Sequence, residues 1–117
     1  MKKLIRKILK EQEEIITLPP FHYFDNDWNL VLELSEGKPF KIMGDVDLSY
    51  NQEITTLGNC YAVGGKLSLF KCINLESLGN LTEVGGYLYL AKTPIANTMT
   101  EDEIRQQVNV GGNIYML

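Results

Sequence analysis

Val63-Gly64-Gly65-Lys66-Leu67-Ser68-Leu69-Phe70-Lys71-Cys72 is the stretch from which the rest of this chain can be read. Its phrase returns upstream as Ile42-Met43-Gly44-Asp45-Val46-Asp47-Leu48. Downstream it returns as Val84-Gly85-Gly86-Tyr87-Leu88-Tyr89-Leu90 and Val110-Gly111-Gly112-Asn113-Ile114-Tyr115-Met116. The glycine that opens each strand phrase stands at 44, 65, 86 and 112, at intervals of 21, 21 and 26 residues. A repeat of this length marks a solenoid: each unit is too small to bury its own apolar face and must stack on the next.

Within each unit an aliphatic residue and a glycine turn are followed by two apolar residues alternating with variable ones, the period of a strand with one buried face. Three residues past the second apolar position come Asn51, Cys72 and Thr93. Ile54 and Leu57 then match Leu75 and Leu78, and Gly58-Asn59 matches Gly79-Asn80.

The segments Val46-Asp-Leu48-Ser-Tyr-Asn51, Leu67-Ser-Leu69-Phe-Lys-Cys72 and Leu88-Tyr-Leu90-Ala-Lys-Thr93 resemble the leucine-rich-repeat signature L-x-L-x-x-N/C. The resemblance covers roughly residues 42–117. Two departures stand out. The leucine usual three residues before the strand is replaced by the aliphatic-glycine turn, and the next apolar residue follows Asn51 and Cys72 by three positions rather than two. The Gly-Gly form is similar to bacterial and bacteriophage repeat proteins.

The resemblance implies an α+β repeat: a short, right-handed, leucine-rich-repeat-like solenoid with one parallel β-sheet. Residues 1–41 form an N-terminal helix and capping segment, and residues 42–117 form the coils of a single compact domain. The alternating apolar residues point inward, and the Asn51/Cys72/Thr93 position turns inward to satisfy backbone groups at the strand exit. The second apolar pair fills the back of the core, and the Gly-Gly pairs supply positive φ and close approach between coils. It further implies a protein-binding role, extending by the bacteriophage likeness to a viral inhibitor of a host or defence protein.

Outside the repeats, Leu4, Ile5, Ile8, Leu9, Ile15 and Ile16 fall near one face of an amphipathic helix over residues 1–16, expected to cap the open end of the first coil or dock on a partner. Pro19-Pro20 ends it. Trp28–Leu34 alternates at Leu30, Leu32 and Leu34 and reads as a strand, part of the cap or a degenerate first coil. The longer third interval contains Thr100-Glu101-Asp102-Glu103, a capping box that predicts a short helix through about Gln107.

The composition is that of an ordinary globular chain: 117 residues, 44% hydrophobic and 22% charged. It contains no apolar run long enough to span a membrane, and Arg6 and Lys7 interrupt any signal-length core, so a cytoplasmic protein is expected. Cys60 and Cys72 sit in repeat register with Leu81 and with Asn51 and Thr93, as small buried residues rather than a disulfide. Without a Cys-x-x-Cys, and with His22 the only histidine, no metal site and no cofactor is expected.

No nucleophile or phosphate-binding motif is present, since Gly65-Lys66-Leu67 lacks the hydroxyl a P-loop needs. Asp45 and Asp47, two apart on a strand, share one face at roughly 7 Å, but the same positions carry other residues in the other coils; the chain reads as non-enzymatic. The informative positions lie between the buried leucines on the outer face of the sheet. They are Asp45/Asp47/Ser49, Lys66/Ser68/Phe70, Tyr87/Tyr89/Ala91 and Asn113/Tyr115/Leu117. Phe70, Tyr87, Tyr89 and Tyr115 form an aromatic patch there, with Lys66, Asp45 and Asp47 toward the other end, as the expected surface for a protein partner.

Nucleic acid is not the expected partner. Residues 1–16 carry five basic and three acidic side chains, and the remainder holds six basic against twelve acidic, a body that repels phosphate. Leu117 directly follows the fourth phrase, so the last strand is expected to offer an open edge to a partner strand. The alternative function is therefore a structural or assembly protein that forms a homo-oligomer through that edge.

Overall fold

The computed structural model describes residues 15–117. The helix expected over residues 1–16 falls outside the described residues up to position 14, and at its far end the expectation is corrected, because Ile16 already opens a strand.

The chain folds as α+β with two parallel sheets. One contains β1 (Ile16–Leu18), β2 (Phe40–Ile42), β4 (Cys60–Val63), β6 (Glu83–Val84) and β8 (Asn109–Val110), in the order β1-β2-β4-β6-β8. The other contains β3 (Val46–Asp47), β5 (Leu67–Ser68), β7 (Leu88–Tyr89) and β9 (Ile114–Tyr115), in the order β3-β5-β7-β9. In the second sheet Val46, Leu67, Leu88 and Ile114 stand opposite one another in parallel register, so each strand's neighbour is its equivalent one repeat along.

The expectation of one sheet is thereby corrected. The aliphatic residues ahead of the glycines, Ile42, Val63, Val84 and Val110, are in parallel register too. They make a second ladder, and the glycine turn is the corner between the two. Backbone pairing continues around that corner: the Gly64, Gly85 and Gly111 N–H groups donate to the carbonyls of Ile42, Val63 and Val84 at 2.8–2.9 Å.

The expected positive φ is absent from the Gly-Gly pairs. Among the repeat glycines it occurs at Gly44 and at Gly58 and Gly79. The pairs are glycine for want of space. A Cβ on Gly85 would run into the carbonyl oxygen of Gly64, and one on Gly111 into that of Gly85. Stacked backbones leave no room there for a side chain.

Between the sheets lies a core of Val46, Leu48, Leu67, Leu69, Leu88, Leu90 and Ile114, closed at the back by Ile54, Leu57, Leu75 and Leu78. The inward-turning position serves three chemistries. Asn51 Oδ1 accepts from the Glu53 and Ile54 N–H groups, Cys72 Sγ donates to the Leu48 carbonyl at 3.0 Å, and Thr93 Oγ1 donates to the Leu90 carbonyl at 2.7 Å. Burial pushes the Cys72 thiol up, with the Asp47 charge adding to the rise. Cys60, also buried, is pushed up by burial from 9.0 to about 12.

Trp28–Leu34 is an α-helix, α1, not the expected strand. Asp27 caps it by accepting from the Asn29 and Leu30 N–H groups, and Trp28 and Val31, one turn apart, are the buried residues. The leucine alternation was misleading because Leu30 and Leu32 only pack partly against the core and Leu34 is exposed. Trp28 packs between Phe21, in a short 3₁₀ turn at Phe21–Phe24, and Phe40, with ring centroids 5.9 Å from each.

Two helices occupy the long third interval. α2 (Pro94–Thr98) starts from Thr93, whose side chain accepts from the Ala96 N–H, with proline in its first turn. α3 (Glu101–Gln107) begins at Thr100 with both hydrogen bonds of the capping box formed, over the predicted residues. Arg105 ties α3 to the next repeat by donating to the carbonyls of Val110 and Gly112.

The candidate partner-binding face

The four-stranded sheet buries one row of side chains and turns the other outward. Because its strands pair in register, outward residues of consecutive repeats sit one strand spacing apart, about 4.8 Å. That places the aromatics in a single cluster. Phe70 and Tyr89 meet edge to face at 5.2 Å, as do Tyr87 and Tyr115 at 5.6 Å and Tyr87 and Tyr89 at 6.4 Å, while Tyr89 and Tyr115 lie tilted at 5.4 Å. All four ring residues expected from the sequence are therefore brought together. These centroid separations lie in the range where aromatic quadrupoles attract.

A fifth ring joins them. Tyr50 packs edge to face on Phe70 at 5.6 Å and is 62% exposed. It occupies the same repeat position as Lys71 and Lys92, and all three have left-handed backbone, with φ of 67°, 57° and 65°. The recurrence of this position one residue past the outward row is the signal by which the sequence could have revealed Tyr50. Lys71 was likewise missed, and its Nζ lies 5.4 Å from the Phe70 ring and 5.5 Å from the Tyr50 ring. Lys66 lies over Tyr87 at 5.4 Å.

Asp45 and Asp47 stand exposed on the first strand of the face. Asp45 Oδ1 accepts from the Lys66 N–H at 2.8 Å, and Asp47 Oδ1 accepts from the Ser49 N–H at 2.9 Å. Each carboxylate is thus oriented by backbone, and among the described residues the only salt bridge is between Arg105 and Glu101. Asp45, Asp47, Lys66, Ser68 and Tyr87 line a shallow depression of about 270 Å³. Ala91, expected on the outer face, is instead wholly buried; a methyl is too short to stand clear of its neighbours.

No three His, Cys, Asp or Glu side chains converge as a metal site among the described residues, and no described helix is long and apolar enough to cross a membrane. What the arrangement offers is a semi-rigid aromatic surface with fixed charges at one end. In comparison with known proteins the chain matches no family model, no curated protein and no solved structure.

Proposed function

We propose that this chain is a non-enzymatic protein-interaction module: a short solenoid of the leucine-rich-repeat kind that binds a partner polypeptide through the outer face of its four-stranded sheet. The observation that carries this reading is the run of five touching aromatic rings on the solvent side of that sheet. Tyrosines of large area and few rotamers lose little entropy when covered, which is why such residues dominate interface energetics. Held edge to face by their neighbours, these rings are already arranged before any partner arrives.

The repeat architecture is supported by parallel register at successive 21-residue intervals in both ladders. The charge balance favours protein over nucleic acid, since residues 17–117 hold six basic and twelve acidic side chains. A cytoplasmic setting belongs to the same reading, supported by two cysteines that are buried and free.

The test is a tagged full-length chain used as bait in its native host, beside a Tyr87→Ala/Tyr89→Ala/Tyr115→Ala variant checked for an unchanged circular dichroism spectrum. A partner recovered by the parent and reduced at least about tenfold with the variant is the expected outcome, given the 1–2 kcal/mol that a central interface tyrosine commonly carries. A partner held equally by both chains would assign binding to another surface.

A further inference from the structure

We infer that the partner this face is built to take is a second copy of the same chain, packed face to face about a two-fold axis parallel to the strands. The inference rests on the reading of the outer sheet face as a binding surface, and it concerns who occupies that surface.

The argument is one of self-complementarity. A two-fold axis along the strands keeps strand direction and reverses the order of the strands, so β3 of one copy faces β9 of the other and β5 faces β7. The outward residues then meet position for position. Asp45 faces Asn113 and Asp47 faces Tyr115, each an acceptor opposite a donor. Lys66 faces Tyr87, a cation opposite a ring of the type it already covers within its own copy at 5.4 Å. Ser68 faces the Tyr89 ring. Phe70 faces the short Ala91 position, whose side chain is covered by its own neighbours and adds no contact of its own.

Each of these matches is made twice, as an isologous contact requires. The other face-to-face two-fold, along the stacking direction of the strands, sets Asp47 against Asp47 and is disfavoured by like charge. Lys71 and Lys92 do fall opposite each other in the favoured arrangement. They lie at the strand exits, and the Lys71 ammonium is drawn aside over Phe70 and Tyr50.

Four strands span only roughly 15–20 Å, so the contact is small and the association is expected to be weak. Sedimentation equilibrium of the full chain from about 5 μM to 1 mM at physiological salt reads it directly. Because Asp47 and Tyr115 belong to strands three spacings apart, roughly 14 Å, they do not touch within one copy. They do touch across the proposed dimer.

Tyr115→Asp is therefore expected to weaken dimerisation at least about tenfold by setting two carboxylates together, whereas Tyr115→Lys retains it by facing Asp47. Asp47→Lys combined with Tyr115→Asp is expected to bring the dimer back to within about threefold of the parent. Tyr115 is partly exposed, so both of its variants fold, which thermal melting verifies. The inference is overturned by a chain that stays monomeric to 1 mM, by a dimer indifferent to Tyr115→Asp, or by a charge swap that fails to restore it. A strict monomer whose aromatic-dependent partner is still recovered from the host would remove the second copy and leave the protein-binding reading standing.

Discussion

Gly64 and Gly85 hold equivalent places in successive repeats, yet they are not equally constrained. A methyl on Gly64 would lie 3.2 Å from the Gly44 nitrogen, a contact that a small shift relieves, whereas one on Gly85 would collide with the Gly64 carbonyl oxygen. Gly85→Ala should therefore cost about 2–4 kcal/mol and Gly64→Ala less than half of that, measurable by urea unfolding. Cys60 makes a different kind of demand. Its folded pKa of about 12 lies above the ordinary value of 9.0, because burial disfavours the thiolate. The native state thus holds a proton that the unfolded chain releases. The contribution is complete below pH 9 and declines as pH rises from 9 toward 12. Melting temperature should fall across that window, and Cys60→Ala should flatten the fall; an equal slope in both proteins would assign the alkaline loss elsewhere.

Among the elements, α3 shows how far local chemistry reaches. Thr100 accepts from the Glu103 N–H and Glu103 returns a bond to the Thr100 N–H, so the helix start is decided within four residues. Thr100→Ala should lower stability by about 1 kcal/mol, seen as a shifted denaturant midpoint with an unchanged slope. The same locality explains why this helix was legible in the sequence while α1 was not. Leu30, Leu32 and Leu34 imitate a strand's alternation, and the deciding features are the Asp27 cap and the burial of Trp28 and Val31. Pro94–Thr98 does not read as a helix in the sequence because the repeat register assigns Thr93 to the strand exit, where it also serves as the cap of α2.

Taken together, the strands form two parallel ladders, a pair short enough to unfold as one unit. Two intrinsic probes mark its ends. Trp28, the only tryptophan, is buried near β2, with its indole N–H lacking a hydrogen-bond partner among the described residues, and the Tyr87/Tyr89/Tyr115 cluster lies on β7 and β9. Parallel pairing links them through both ladders, with one register shift between Phe40 and Lys41 where β2 meets β4. Tryptophan fluorescence and near-ultraviolet tyrosine dichroism should therefore report the same unfolding midpoint. Separated midpoints would mean that one end opens independently.

The repeat phrase, the inward and outward alternation at every strand position but Ala91, the polar strand-exit position and the α3 cap were determined by the sequence alone. Each depends on spacing within one or two turns of chain, where periodicity and hydrogen-bond reach leave few choices. Only the tertiary structure decided that the aliphatic residues before the glycines form a second ladder, and that the glycine pairs serve close approach rather than left-handed backbone. It also brought Tyr50 and Lys71 into the aromatic face. Those outcomes turn on how closely one repeat lies against the next, a distance that residues within a single repeat do not encode and that stacking alone sets.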